Sequence, residues 1–340
     1  NRLSFELDYY YRYTDKLLAQ VTLPGDYNAY ISQWQNAYAI SNQGIELQIK
    51  ADLVRSEKLH WDFSFNIARN WNRFEKSNNG MDFTNLASKH NLNIIGKPLN
   101  GIYVYNDQGY YNSQDEVPLY YVNGRRKYLS SLGNQIYTPG DRRIQDVDGN
   151  GQVATMVPLL EDRVYGGSPL PLAFGGIATT LKWKGIDVNL LFSYKLGRHV
   201  LNAGRGASVG TILRANTAEM MVPILADLDK VSFWQKPGDN TDFPINELEN
   251  GKNNFATNLK SNVEKINYLK LKSISIGYTL PVFPKQSKHY ARVFMSVENV
   301  FTITNSSSPD PESIDIVTGV DSNNNYPLAT RYTLGLTLNL

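Results

Sequence analysis

The final segment of the chain, residues 330–340 (TRYTLGLTLNL), alternates apolar and polar residues with a period of two. Its apolar positions recur at every second residue: Tyr332, Leu334, Leu336, Leu338 and Leu340. Because successive side chains of a β-strand point to opposite faces, this segment has one apolar and one polar face. A strand of about 9–11 residues that is tilted by roughly 45° is also long enough to span a bilayer. The pattern therefore predicts a transmembrane β-barrel strand, with lipid on one face and a hydrated lumen on the other.

The same alternation recurs along the chain and predicts about ten strands. The clearer segments are residues 2–13, 43–54, 60–72, 173–184, 186–197, 267–280, 290–303 and 330–340, and the weaker ones are 89–97 and 101–111. Charged residues such as Glu46, Lys50 and Asp187 fall at mid-strand on the polar face. That face would look outward in a soluble sandwich and would line the lumen in a large barrel, so a single strand does not separate the two folds.

The lengths of the connections favour the barrel. Short links (55–59, Gly185 and 281–289) alternate with long ones (14–41, 112–171, 198–265 and 304–326). Long structureless loops are rare in compact domains, whereas outer-membrane barrels combine short periplasmic turns with long outer loops. If the last strand runs toward the periplasm, and both weaker segments are counted as strands, all the long links lie outside.

One long link is predicted to contain a short helix. The segment from Thr211 to Leu228 has few turn residues and many helix-forming residues before Pro223.

Composition excludes several functional classes. The 340 residues carry 34 basic and 32 acidic side chains, a net charge of +2, without the basic excess of a nucleic-acid-binding protein. The absence of cysteine excludes disulfides, thiolate metal sites and a cysteine nucleophile. The 22 tyrosines suit a membrane–water boundary, where the ring lies among the lipid headgroups and the hydroxyl stays hydrated.

Several segments, in their order along the chain, carry a family resemblance. They are NRLSFELDYYYRYTDKLL, GDRRIQDVDGNGQV, YGGSPLPLAFGGIATTLKWKGIDVNLLFSY, FWQKPGDNTDFP, NYLKLKSISIGYTLP and VENVFTITNSSSPDPE. Together they resemble the C-terminal barrel portion of the SusC/RagA family of TonB-dependent outer-membrane transporters. The resemblance implies a 22-stranded barrel with an N-terminal plug, of which residues 1–340 supply the last ten or so strands. The plug and the first strands are then expected elsewhere, and this part is expected to be stable only beside the rest of its barrel.

The resemblance also implies a function. It implies energy-driven import of a bulky nutrient, an oligosaccharide or an oligopeptide, across the outer membrane of a Gram-negative, Bacteroidetes-type cell. A SusD-like surface lipoprotein would act as a lid, and the TonB complex would act through the absent N-terminal part. Three alternatives stay open: a siderophore or cobalamin TonB-dependent receptor, a secreted β-sandwich or propeller that binds or degrades glycans, and a passive porin.

One loop carries a candidate metal site. Asp146, Asp148, Asn150 and Gln152 match the first half of an EF-hand loop, in which oxygen ligands alternate and a backbone carbonyl follows. The twelfth position of that loop, where an EF-hand has glutamate, is Val157, so Glu161 or Asp162 would have to substitute. The competing interpretation is a turn in which the Asp and Asn side chains accept hydrogen bonds from nearby backbone amides. The candidate is a structural Ca²⁺ in an outer loop, and no cofactor is required for the predicted function.

Aromatic residues in the outer loops are candidates for ligand contact. The substrate-binding candidates are Trp34, Tyr120, Tyr121 and Trp234, within a larger group that looks exposed and also includes Tyr38, Tyr137 and Phe233. Their rings could stack on sugars or pack on peptide side chains, or they could pack within their own loops or against a partner lid.

No catalytic group is predicted. The four histidines, His60, His90, His199 and His289, show no metal-ligand spacing and are interpreted as interface or loop residues. Ser168 lies outside any G-x-S-x-G motif, and GRGASVG follows no βαβ pattern. The chain is therefore not expected to be an enzyme.

Overall fold

The structure is a computed structural model of the chain. It describes residues 2–23, 31–77, 83–84, 90–131, 134–153, 161–204, 232–245, 252, 256–281, 290–322 and 326–339. Across these ranges, no helix has both the length and the apolar character needed to cross a membrane.

The described residues are mostly β-strand. The long strands are β1 (Leu3–Leu23), β2 (Ile31–Arg55), β3 (Leu59–Lys76), β14 (Ala173–Trp183), β15 (Ile186–Asn202), β16 (Val263–Pro281), β17 (Tyr290–Thr304) and β19 (Arg331–Asn339). The short strands are β4 (Phe83–Thr84), β5 (Asn91–Ile94), β6 (Gly101–Tyr105), β7 (Asp107–Tyr110), β8 (Leu119–Val122), β9 (Arg125–Tyr128), β10 (Ser130–Ser131), β11 (Arg142–Ile144), β12 (Gln152–Val153), β13 (Arg163–Gly167) and β18 (Val320–Asp321). Two 3₁₀ turns cover Gln114–Glu116 and Lys260–Asn262.

The eight long strands form one continuous antiparallel wall. Their order is β1-β2-β3-β14-β15-β16-β17-β19, and β18 adds in parallel at the end of β15. Neighbours in this order follow each other along the chain once the short strands are set aside, so the wall is an up-and-down meander. Tight turns join β2 to β3 and β14 to β15, and the second of these contains Lys184 and Gly185 in left-handed backbone conformations.

Register places apolar side chains of six neighbouring strands in one row on the same face of the wall. This row runs through Leu334, Met295, Ile276, Val188, Leu181 and Trp61. The adjacent row, on the opposite face, runs through Thr333, Ser296, Ser275, Asn189, Thr180 and Asp62. Because a one-residue slip at any pair would move a strand's apolar residues to the other face, this alignment shows that the wall has one apolar and one polar face.

The apolar face of the wall is uncovered. Leu334 is 79% exposed, Ile276 51% and Met295 48%. The buried apolar residues of the described chain instead form small clusters. The largest is built from residues of the β3–β14 and β15–β16 connections. In a soluble sandwich the apolar faces of two sheets would meet across a dry interior. The described apolar face has no such covering, which contradicts the sandwich alternative.

Three expectations about strands and links are corrected. Residues 89–97 and 101–111 are not wall strands, because β5 and β6 form a separate small sheet with β4 and β13 inside the connection from β3 to β14. The described wall therefore has eight strands rather than ten. Because an even number of strands is removed, the directions of the remaining strands do not change, and the long connections still lie at one end of the wall. The long link predicted at 14–41 is also wrong, since β1 continues to Leu23 and β2 begins at Ile31. The predicted helix at 211–228 lies outside the described residues.

Candidate functional site

The long connections of the wall gather at the end opposite the tight turns. They join β3 to β14 (first loop), β15 to β16 (second loop) and β17 to β19 (third loop). The first and second loops share one apolar core, formed by Tyr105, Tyr111, Val117, Leu129, Tyr137, Ile144, Val153 and Leu259. Leu259 is the second loop's contribution, and it is 2% exposed. These two loops are therefore packed together as one folded body at the loop end.

A polar cavity of about 560 Å³ lies between the first and second loops. Its volume is within the usual range of about 300–1,000 Å³ for a small-ligand site. The lining residues that present polar side chains include Gln108, Tyr110, Asn112, Glu116, Arg143, Asp239, Asn240 and Asp242. Carboxylates, side-chain amides and a guanidinium can all hydrogen-bond a polar ligand, so the chemistry of this cavity is that of binding.

A buried ion pair fixes the cavity wall. Nη1 of Arg142 lies 2.9 Å from Oδ2 of Asp107, and both side chains are almost fully buried. The other carboxylate oxygen of Asp107 accepts a 2.9 Å hydrogen bond from the backbone N–H of Ser261. This one carboxylate therefore ties the first loop to the second.

Tyr110 completes that wall of the cavity. The Arg142 guanidinium lies 5.4 Å from the centre of the Tyr110 ring. Burial raises the pKa of the Tyr110 phenol above its usual value, so the hydroxyl stays a neutral donor and bonds the carbonyl of Thr241 at 3.1 Å.

The third loop folds back against the polar face of the wall through a charge network. Nζ of Lys270 lies 3.0 Å from Oδ2 of Asp310 and 3.1 Å from Oε2 of Glu312. Lys272 adds a second contact to Glu312 at 2.8 Å. Arg198, which is 1% exposed, donates to the carbonyls of Pro169 and Asp315. The network holds the third loop in place, and it joins that loop to β15 and β16.

The pKa values of the third-loop carboxylates reflect this network. Burial alone would raise the pKa of Asp310, but hydrogen bonds from the Glu312 backbone and from Lys270 outweigh it and lower the pKa. Burial would likewise raise the pKa of Glu312, but hydrogen bonds from Lys272 and Lys270 outweigh it and lower the pKa. Both side chains are therefore held as carboxylates at neutral pH.

These lowered pKa values predict that the third loop undocks in acid. A carboxyl group with a folded pKa below its unfolded pKa adds stability above the unfolded value, about 4 for Asp and Glu, and loses it as the pH falls through the folded value. Hydrogen-exchange protection of residues 306–316 should therefore be constant from neutral pH to about pH 5 and should fall below about pH 4. Equal protection after correction for intrinsic exchange, from neutral pH to about pH 3, would contradict this account of the loop.

The predicted ligand-contact aromatics occupy different environments. Trp34 on β2 is 67% exposed and Tyr121 on β8 is 70% exposed. Tyr120 is partly buried against the first-loop core. Trp234 is 6% exposed and Tyr137 is fully buried, so the expectation that these two are exposed is wrong. None of the four binding candidates lines the 560 Å³ cavity, and ligand contact by Trp34, Tyr120, Tyr121 or Trp234 stays a prediction.

The candidate metal loop gathers three carboxylates. One oxygen each from Asp146, Asp148 and Asp162 lies within 4.8 Å of the others, which makes Asp162 the available substitute for the missing twelfth position. The two oxygens of Asp146 accept hydrogen bonds from the N–H groups of Gly149 and Gly151, each at 2.8 Å.

The remaining side chains of that loop bond within the protein. Oδ1 of Asp148 accepts from the N–H of Asn150 at 3.1 Å, and Oδ1 of Asn150 accepts from the N–H of Gln152 at 2.7 Å. The Gln152 amide bonds Asn134 at 2.9 Å, so its side chain is engaged away from the carboxylates. The loop thus has the hydrogen bonds of the turn interpretation together with a carboxylate cluster, and Ca²⁺ binding stays a prediction.

Calcium binding would stabilise this loop measurably. At a hundredfold excess over the dissociation constant, a bound ion adds about 2.7 kcal/mol to the free energy of unfolding. Scanning calorimetry of the intact protein should then show a higher melting temperature in Ca²⁺ than in chelator, and Asp148→Asn should abolish the difference. Asp115→Asn, which removes an exposed carboxylate elsewhere in the first loop, is the matched control. An identical melting temperature in calcium and in chelator would exclude Ca²⁺ binding and support the turn interpretation.

Sequence reasoning missed the charge network of the third loop. Lys270 occupies a polar-face position of β16, and Asp310 and Glu312 are part of the proline-containing segment SSSPDPE. The sequence therefore shows where the charged residues are, but Lys270 and Asp310, like Lys272 and Glu312, are 40 residues apart along the chain. Only the fold brings them together.

Comparisons with known proteins agree with the fold. No family model matches the chain. TonB-dependent receptor P3 of Formosa agariphila is 28% identical over 361 residues, covering 99% of this chain and 32% of the relative. TonB-dependent receptor SusC of Bacteroides thetaiotaomicron is 23% identical over 352 residues, covering 99% of this chain and 30% of the relative. The chain therefore spans about a third of the length of these relatives.

A solved structure shares the architecture. The RagAB peptide transporter superposes with a TM-score of 0.69 and 22% identity, covering 100% of this chain and 34% of that one. At 22% identity, this structural similarity establishes the fold alone.

The fold and the gathered loops define a section of a transmembrane antiparallel β-barrel wall. Within that class, the predicted resemblance to TonB-dependent receptors of the SusC/RagA type is confirmed.

Proposed function

We propose that this chain forms wall and outer loops of an outer-membrane TonB-dependent importer of a bulky nutrient, an oligosaccharide or an oligopeptide. The observation that carries the proposal is the register-aligned pair of rows, one apolar and exposed, the other polar. An exposed apolar face on a long antiparallel wall suits lipid, and a polar face suits a hydrated lumen. The relatives named above are receptors or transporters, which supports transport rather than catalysis.

The rest of the barrel belongs to the same proposal. In the described part of the chain, β1 and β19 each have a wall partner on one side only. Unpaired backbone groups cost several kcal/mol each in lipid, so a stable wall needs further strands on both edges. We place those strands, the plug and the contact with the TonB complex in the part of the protein that corresponds to the unmatched two thirds of the relatives.

The gathered loops support a lid partner. All three long connections project from one end of the wall, and two of them form a packed body with a polar cavity. A SusD-like lipoprotein would dock over this end and enclose the substrate against the loops. RagAB is a peptide transporter, so an oligopeptide remains a candidate substrate of this chain beside an oligosaccharide. A siderophore or cobalamin receptor is the remaining alternative of the same fold.

Uptake by cells that depend on this protein tests the proposal. The wild-type strain and a deletion strain are given labelled oligosaccharides and oligopeptides, before and after collapse of the proton gradient. The importer proposal expects uptake of one of the two classes that is lost in the deletion strain and stops when the gradient is collapsed. Protein-dependent uptake that continues without the gradient would instead indicate a passive porin. Protein-dependent uptake of iron chelates or cobalamin alone would indicate the other receptor class.

A further inference from the structure

Three side chains converge on the polar face of the wall, at the end away from the long loops. Asp52 on β2 and Asp62 on β3 are direct partners across the antiparallel ladder, and His60 lies two residues before Asp62. One ligand atom from each of these three residues lies within 4.8 Å of the other two. Nε2 of His60 is 3.1 Å from Oδ1 of Asp62. None of the three contributes to the loop cavity or to the third-loop network.

The two carboxylates create a local electrostatic problem. Like charges directly opposite each other on one face of a sheet destabilise the pairing. Arg55 is 3.8 Å from Asp52, but its side chain is 65% exposed, and such a surface contact compensates little. The imidazole of His60 also lies against the pair, 3.1 Å from Asp62, and Lys182 of β14 is the cross-strand partner of His60. A bound divalent cation would balance the charge of both carboxylates, and the imidazole would supply a third ligand.

We propose that Asp52, His60 and Asp62 bind a divalent transition-metal ion of the zinc type. Zinc binds imidazole nitrogen and carboxylate oxygen at about 2.0–2.2 Å, so neighbouring ligand atoms of a tetrahedral site are roughly 3.3–3.5 Å apart. The 3.1 Å separation of His60 and Asp62 is already close to that value. All three residues are partly exposed, so the carboxylate of Asp52 can reach the ion by side-chain rotation.

The ligand set selects the class of metal. One imidazole nitrogen with two carboxylate oxygens suits zinc and its neighbours, whereas magnesium and calcium prefer all-oxygen sites. Three protein ligands leave a fourth position for water. All three residues lie on strands, which hold ligands more accurately than loops do, and Asp52 is next to a register shift in β2.

The ion would act as a clamp at the tight-turn end. Asp52 and His60 flank the turn at Ser56–Lys58, so one ion would cross-link β2 and β3 beside it. His60 also borders a pocket of about 750 Å³ with Lys182, Asp187 and Arg292, which gives the ion access from the polar face. The clamp needs only the described geometry of β2 and β3, and it stands whether or not the proposed transport function is correct.

Calorimetric titration with zinc chloride tests the site in the full-length protein, extracted in detergent and stripped with chelator. We expect one zinc ion per chain at this site, and zinc affinity at least about tenfold lower in both His60→Ala and Asp62→Asn. Asp8→Asn removes another polar-face carboxylate, on β1, and should bind zinc as the wild type does. Magnesium chloride should give no comparable binding.

Two further measurements keep the outcome decisive. If His60→Ala does not fold, the near-isosteric Asp52→Asn supplies the same comparison. Zinc-edge absorption spectroscopy of the loaded protein should show only nitrogen and oxygen neighbours, including one imidazole. No zinc binding by the wild type, or binding that all three ligand variants retain, would overturn the site and leave His60 as an ion-pair partner of the two aspartates.

Discussion

Replacing Lys270 by methionine is expected to release the third loop from the wall. Lys270 is 3% exposed and contacts both Asp310 and Glu312. Its loss leaves the buried Asp310 carboxylate without its cation, while Glu312 keeps its ion pair with Lys272. Breaking a buried ion pair by removing one partner typically costs about 3–5 kcal/mol. We expect hydrogen exchange of residues 306–316 to rise accordingly, while exchange of the β17–β19 ladder changes little.

Lys272→Met is the matched control for this prediction. Lys272 contacts Glu312 at 2.8 Å from the same strand, but its side chain is 34% exposed. Solvent screens this pair, and its loss should cost no more than about 1 kcal/mol. Equal exchange in the two variants would show that burial of Lys270 does not control docking of the loop.

Replacing Leu334 by arginine is expected to impair insertion of the wall. Leu334 lies at the middle of β19 and is 79% exposed on the apolar face. An arginine on the lipid face of a barrel at the bilayer midplane costs about 2–4 kcal/mol. The full-length variant should therefore unfold from lipid vesicles at lower guanidinium concentration than the wild type and should accumulate less in the outer membrane.

The adjacent substitution Thr333→Arg separates the effect of lipid from the effect of charge. Thr333 is on the same strand, pairs with Ser296 and faces the polar side. An arginine there can stay hydrated in the lumen, so stability should remain close to that of the wild type. If Thr333→Arg were the more harmful of the two, the assignment of the two faces would be reversed.

The wall strands were predictable because the alternation of apolar and polar residues is a local property of the sequence. In β19 every second residue is apolar, so its faces follow from sequence alone, and cross-strand pairing then aligns the strands. β6 was mistaken for a wall strand because its five residues are buried on both faces within the loop body. A continuous apolar run of this length does not tell which sheet will bury it.

The sites were less predictable because they depend on distant partners. The exposure of Trp234 could not be read from its loop sequence, and the structure places it beside Gly140 from another loop. Asp52, His60 and Asp62 have no metal-ligand spacing along the chain, and they meet only because β2 and β3 pair across a tight turn. The acidic loop at 146–152 was recognisable, since its ligand candidates recur at every second residue of one short segment, but Asp162 joins them only in the fold.

Spin-label accessibility along β19 tests the central claim most directly. The chain has no cysteine, so single cysteines introduced at positions 331–338 each carry the only label in this sequence. In the full-length protein in lipid vesicles, we predict high accessibility to oxygen and low accessibility to a water-soluble nickel chelate at 332, 334, 336 and 338. Positions 331, 333, 335 and 337 should show the reverse. An absence of period-two alternation, or alternation in the opposite phase, would contradict a wall with lipid on its apolar face and water on its polar face.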